Sequence, residues 1–382
     1  MPFYHSLGSI PPKRHTQFRR SDGSLYKEEV MGLRGFSGIQ SILYHLQEPT
    51  KVLSSTRLPM PALTLAQDLP LQHRHLTSMN LSTTGDFLSA RTWLLLNNDL
   101  KIGIATPTTS ADFFYRNGSC DELLFVHSGD GVLRTQFGKL HFKAGDYVVI
   151  PVGTTYQLSF SNATRLLLVE SRGRIEVPKR YRNEYGQFLE HSPFCERDIR
   201  VPRELETIDQ KGEFEIRVRV GDSLSSLIVD HHPFDVVGWD GLLYPWIFNI
   251  GDFEPITGRI HQPPPVHQTF YADGFVVCSF VPRLFDYHPQ AIPVPYNHSN
   301  VNSDEVLYYV AGDFMSRKGV GLGSFTHHPA GLPHGPHPGT VEKSLGQRET
   351  KELAVMIDTH APLSLTAEGA KLSDPGYLRS WI

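Results

Sequence analysis

A pattern that occurs twice constrains this chain more than any other feature. The first copy reads Asp121-Glu122-Leu-Leu-Phe-Val-His-Ser-Gly129, then Gly145-Asp-Tyr-Val-Val-Ile-Pro151-Val-Gly153-Thr-Thr-Tyr156. The second reads Asp304-Glu305-Val-Leu-Tyr-Tyr-Val-Ala-Gly312, then Gly323-Ser-Phe-Thr-His-His-Pro329-Ala-Gly331-Leu-Pro-His334. Glutamate to glycine is seven positions in both copies, glycine to proline is six, and Pro-x-Gly-x-x-(Tyr/His) recurs intact. A repeat of this kind makes each half one similar unit. Each copy joins a β-rich run to a Gly/Pro turn, so each half is expected to be a small β-barrel of the jelly-roll type.

The texture around the repeat agrees. RTWLLLNND, LKIGIATP, LLFVHSGDGVLRTQF, KLHFKAGDYVVIPVG and YQLSFSNATRLLLVES are short, rich in β-branched residues and punctuated by Gly, Asp and Asn. That is the signature of antiparallel strands. Strand texture returns in EFEIRVRV, FVVCSFVPRLF, EVLYYVAGDFMSRKG and KELAVMIDT, while HHPFDVVGWDG reads as a loop. Helical periodicity is scarce, with short candidates at 38–45 and 182–188. The expected organisation is mainly β: an irregular N-terminal arm (1–90) packing on the body, a first barrel (91–235) and a second barrel with a C-terminal tail (236–382). The 382 residues allow two domains or one large β-rich unit; at 40% hydrophobic and 20% charged, the chain can fill a core and carries too little charge for disorder. Net charge is −4 with no long basic run, so a nucleic-acid footprint is absent. No apolar stretch approaches the ~20 residues that span a bilayer, and the N-terminus lacks the apolar core of a signal peptide. Three scattered cysteines, Cys120, Cys195 and Cys278, make neither a disulfide framework nor a zinc cluster. A cytoplasmic protein is expected.

The two copies differ in one decisive respect. The second carries His298 ahead of Glu305 and closes on His334. The first has Asn117 or Ser119 ahead of its glutamate and closes on Tyr156. Two histidines and one carboxylate are the facial-triad set, which favours non-haem Fe(II) with open positions for oxygen and substrate; by affinity alone the ligand types also admit Mn, Co, Ni or Zn. One metal per chain follows, in the second barrel. Asn300 stands where the common small-barrel metal motif has another histidine, leaving three protein ligands. Around this set, His328 lies six residues before His334 near the same rim, with a proton-transfer, substrate-contact or structural role open. His327 alternates with it on the strand, so one of the two should face away. His261 sits in a Pro-rich loop that cannot be a central strand, and such loops at a barrel mouth often hold functional groups. Tyr296, two before His298, either points into the same cavity or belongs to the core. GDGVLRTQFG lacks the strand–GxGxxG–helix context of a dinucleotide site, and no serine or cysteine sits in a nucleophile elbow.

Pro295-Tyr296-Asn297-His298-Ser-Asn300, Ser303-Asp-Glu305, the Gly312 turn and Leu332-Pro333-His334-Gly335-Pro336 resemble the homogentisate 1,2-dioxygenase family, and Pro233-Phe-Asp-Val-Val-Gly-Trp239 extends the similarity. The resemblance implies a two-cupin, Fe(II)-dependent, ring-cleaving dioxygenase of aromatic catabolism, in tyrosine and phenylalanine degradation, converting homogentisate and O2 to maleylacetoacetate, and a homo-oligomer. It implies that His298, Glu305 and His334 hold the iron, that His328 and His261 line the substrate pocket with His261 as acid/base, and that Tyr296 is a pocket tyrosine. Three departures stand out: one extra residue between His298 and Glu305, Phe314 where the family has a tyrosine near the substrate carboxylate, and a shorter chain. Gentisate-type or 3-hydroxyanthranilate-type dioxygenases, a metal-dependent isomerase and a non-catalytic cupin are the alternatives.

Overall fold

The computed structural model describes residues 3–312, 314 and 319–382; the 313 and 315–318 part of the expected 305–319 strand segment lies outside them. The chain is mainly β, with two five-residue α-helices, Thr340–Ser344 and Ala367–Lys371. The N-terminal barrel is built from two facing sheets. One runs Gly138–Lys143, Asp130–Thr135, Thr155–Phe160, Phe114–Asn117, Lys211–Val220, Ser223–His231, Val52–Leu58; the other centres on Asp146–Ile150, Asp121–Ser128, Arg165–Ser171 and Leu100–Ala105. The second barrel carries a six-stranded sheet in which Phe275–Phe280, Leu353–Thr359, Glu305–Ala311 and Phe325–His328 are successive neighbours.

The period of two explains why the central strands read as unbroken apolar runs. In Asp121–Ser128, Leu124 and Val126 point into the first barrel's core, beside Leu133, Val148, Leu158 and Leu168. Leu123 and Phe125, on the opposite face, join Tyr147, Val149, Leu167 and Val169 in the cluster that reaches Phe270, Val277, Tyr308, Phe325 and Ile357 of the second barrel. The sheet is therefore buried on both faces. A strand with two dry faces has no polar alternation, which accounts for LLFV, YVVI and LLLV. This shared layer fixes the two barrels against each other and holds the Glu305 strand rigid.

Several expectations are corrected. The 38–45 helix candidate contains the strand Gln40–His45, paired with Lys27–Gly32 and Val236–Gly241. Its buried Ser41-Ile42-Leu43-Tyr44-His45 run is contiguous, and periodicity cannot separate such a run from a buried helix. The 182–188 candidate is a turn: Arg182 bridges Phe188, and the Asn183 side chain accepts from the backbone N–H of Tyr185 and Gln187. The loop-like 231–241 segment contains the strand Val236–Gly241. Trp246–Asn249 pairs with Asp146–Val149, so the first barrel's sheet runs past the boundary expected at residue 235. Val52–Leu58 extends the first barrel, and Arg74–Leu76 forms the edge of the second barrel's sheet.

Candidate metal centre

His298 and His334 are brought together by the backbone. They form an isolated antiparallel bridge, with N–O distances of 2.8 and 2.9 Å. Glu305 opens the central strand of the six-stranded sheet, between Phe325–His328 and Leu353–Thr359. One donor atom from each of the three lies within 4.8 Å of the others. Nε2 of His298 and Nε2 of His334 are each 3.4 Å from the same oxygen, Oε2 of Glu305. Both rings turn Nδ1 toward a backbone carbonyl, Tyr296 at 3.2 Å and Leu332 at 3.4 Å. A proton on Nδ1 leaves the Nε2 lone pair free, the state a metal ligand needs. Nε2 of His334 is buried and makes no hydrogen bond. An orphaned buried acceptor beside a carboxylate is costly unless something fills the gap, and a divalent cation fits this donor set. Burial would raise the Glu305 carboxyl, but the surrounding imidazoles, with Nδ1 of His328 2.7 Å from Oε1, hold it well below the ordinary range. The carboxylate is the form in which Glu305 could hold a cation.

The aspartate before each repeat glutamate is structural. Asp304 accepts from the backbone N–H of Ala330 at 2.7 Å and Leu363 at 2.9 Å and pairs with Nε2 of His327 at 2.7 Å. Asp121 does the same with Val152 and Ile175, at 2.9 and 3.0 Å. His327 faces away from Glu305, as alternation requires. His328 faces Glu305 but from behind. Its Nδ1 lies 2.7 Å from Oε1 of Glu305, its ring is fully buried, and it is absent from the cavity wall. The contact that His328 makes here is with Glu305, and the part expected for it at the substrate remains a proposal.

A cavity of about 200 Å³ opens beside His298 and Glu305. Phe280, Val294, Leu307, Phe314 and Met356 make its wall apolar; His261, His267, Arg283, Tyr296, Glu352 and Asp358 supply the polar atoms. His261 is half exposed, with Nδ1 3.2 Å from Oδ2 of Asp286 and its ring edge-on to Tyr296. Phe314 packs against Tyr309. Arg283 gives one N–H to Glu352 at 3.0 Å and another to the Val281 carbonyl. Burial, with Arg283 and His261 adding to it, lowers His267 to about 3, so its imidazole is neutral. Asp358 pairs across the sheet with Glu305; burial and then the Glu305 charge push its carboxyl well up. Neither His267 nor Asp358 stood out in the sequence as a cavity residue. A larger cleft of about 630 Å³, lined by Thr106, Thr108, Thr109 and Asn162, has no carboxylate or imidazole among the described residues of its wall.

The first barrel shows what the same register does without these ligands. Tyr156 pairs with Tyr115, as His334 bridges His298, and Tyr115 precedes Glu122 by the same seven positions. The counterpart of His298 is therefore Tyr115, not Asn117 or Ser119. Asn117 caps a turn by accepting from Ser119 and Cys120, and Ser119 accepts from Gly221. The guanidinium of Arg91 lies among these groups: 2.7 Å from Glu122, 2.9 Å from Glu170, 3.1 Å from the Tyr156 hydroxyl and over the Tyr115 ring. An arginine stands where the second barrel gathers its triad.

The family model described as homogentisate 1,2-dioxygenase N-terminal matches residues 93–250. A Saccharolobus solfataricus protein named putative dioxygenase is 43% identical, covering 100% of this chain and 99% of its own. The homogentisate 1,2-dioxygenases of Bradyrhizobium diazoefficiens and Homo sapiens are 28% and 26% identical over 66% and 75% of this chain. The matched parts span 58% and 67% of those relatives' own lengths.

Proposed function

The chain belongs to the homogentisate 1,2-dioxygenase family, as a distant member, and on that premise we propose that it is an Fe(II)-dependent enzyme that opens the ring of a para-dihydroxylated aromatic with O2. Homogentisate, giving maleylacetoacetate, is the first candidate. The observation that carries this reading is the pair of Nε2 atoms aimed at one Glu305 oxygen beside an apolar cavity of ring size. His298, Glu305 and His334 would hold the metal. When bound, Fe(II) supplies a centre at which a ring hydroxyl and oxygen meet and exchange electrons.

The protein's own contribution is position and proton control. Phe314, Leu307, Met356 and Val294 exclude water and hold a flat ring beside the triad. His261, with one nitrogen on Asp286, is the group placed to take and return the proton of a ring hydroxyl. His261→Ala should lower turnover by about 10²–10⁴-fold, the usual worth of a general acid/base, with iron content unchanged. Equal turnover in variant and wild type would make His261 a loop residue only.

Substrate choice follows from charge. A carboxylate entering a dry pocket needs a donor or a cation. Phe314 offers neither, and the Arg283 guanidinium is already held by Glu352. Selectivity for the side-chain carboxylate should therefore be relaxed, with methylhydroquinone rejected by less than ~10³-fold in kcat/KM relative to homogentisate. The test is anaerobic loading with Fe(II), followed by oxygen-electrode assays with homogentisate, gentisate and simple hydroquinones. Uptake with the para-diols is expected. No uptake with any of them would overturn the dioxygenase reading, and rejection of methylhydroquinone by ~10³-fold or more would mean that a carboxylate site survives.

A further inference from the structure

We propose that Tyr377, in the C-terminal segment, is a positioning residue for the metal site, acting on Glu305 through His328. The inference rests on the reading of His298, Glu305 and His334 as ligands. The two oxygens of Glu305 have separate surroundings. Oε2 faces the two ligand imidazoles at 3.4 Å each, and Oε1 takes Nδ1 of His328 at 2.7 Å. Where one oxygen of a carboxylate meets a cation, the group on the other sets its orientation and basicity.

The tautomer of His328 follows from its neighbours. Nδ1 of His328 lies 2.7 Å from Oε1 of Glu305, and a carboxylate that holds a cation only accepts, so Nδ1 carries the proton. Nε2 of a neutral ring is then an acceptor, and the Tyr377 hydroxyl stands 3.3 Å from it as a donor. The phenol therefore favours the one tautomer that can donate to Glu305. Packing keeps the chain of groups aligned. His328 stacks on His334 with centroids 4.5 Å apart, His73 meets both rings edge-on, and Tyr377 is set against Trp381 and His75. The segment Tyr377–Trp381 and the edge strand Arg74–Leu76 thus form the back wall of the site.

The first barrel supplies an independent comparison. Its residue opposite Glu122 in the register of His328 is Ile150, and Glu122 is held by Arg91 and Tyr156 instead. A histidine fills this register in the barrel that has the ligand set, and an aliphatic residue fills it in the barrel that lacks one. A purely space-filling role would not call for that difference.

The experiment is a cobalt(II) titration of the full-length protein, by chelator competition and by the visible d–d spectrum. Tyr377→Phe should weaken Co(II) binding by roughly 10-fold or more, within the 10–100-fold range of outer-shell changes, and should shift the spectrum. His328→Asn places an amide donor near the Nδ1 position whatever Tyr377 does. In that background Tyr377→Phe should have little further effect. Wild-type Co(II) affinity and spectrum in Tyr377→Phe would overturn the proposal. So would a loss undiminished in the His328→Asn background, because it would act through packing. His298→Ala is the control for the ligand reading. If it binds Co(II) as wild type does, the triad assignment fails whatever Tyr377→Phe does.

Discussion

Wild-type protein is expected to retain about one Fe(II) per chain, and His298→Ala, Glu305→Ala or His334→Ala each to abolish both iron retention and oxygen uptake. A facial site has three protein donors and no spare, so losing one removes a third of the protein's hold. The effect on folding should be small by comparison. The core lies in the sheet shared by the two barrels, through Leu123, Phe125, Tyr147, Val277, Tyr308 and Ile357, and this apolar burial does not depend on a metal as a zinc finger's does. Glu305→Ala also leaves His328 without its acceptor and should be the least stable of the three. Metal analysis and thermal melts on the same samples check both parts. Full activity in any one variant would refute the triad, and two tightly bound ions per chain in the wild type would refute the assignment of the first barrel as metal-free.

How much of this was legible in the chain depends on what each residue interacts with. The repeat spacing is a local signal, and it carried the two barrels and the three candidate ligands. Gln40–His45 reads equally as helix or strand because its buried run is contiguous, and one of its two partners, Val236–Gly241, lies about two hundred positions away. Alternation puts one of His327 and His328 on the Glu305 side without naming its partner; that partner is Oε1 of Glu305, 2.7 Å from Nδ1 of His328. Tyr115 kept the seven-residue spacing to Glu122 in plain view. A tyrosine there does not signal a ligand position, because the register is defined by backbone pairing, whatever the side chain. Asp358 reaches its site through sheet order, on the strand beside Glu305, and Arg91 reaches Glu122 from a strand three places away in the first barrel's sheet.

The second large effect is expected at Arg91. Its guanidinium is 4% exposed and ion-pairs with Glu122 and Glu170, whose side chains are each 2% exposed. Arg91→Ala would leave Glu122 with the Tyr156 hydroxyl, a donor at 2.8 Å, while Arg219 keeps its two-pronged hold on Glu170. Removing one partner of a buried ion pair strands the other charge in a dry interior, which typically destabilises by about 3–5 kcal/mol. Arg91→Lys should recover only part of that loss. One ammonium cannot reproduce a planar fork that meets Glu122, Glu170 and Tyr156 together. The charge argument has its own control: Glu122→Gln combined with Arg91→Ala removes both ions and should be more stable than Arg91→Ala alone. Urea unfolding of the four proteins measures this, with iron retention expected to persist in the folded fraction because Arg91 touches none of His298, Glu305 or His334. If Arg91→Ala unfolded within about 1 kcal/mol of wild type, the guanidinium would be a passenger in the first barrel rather than the cation that its carboxylates require.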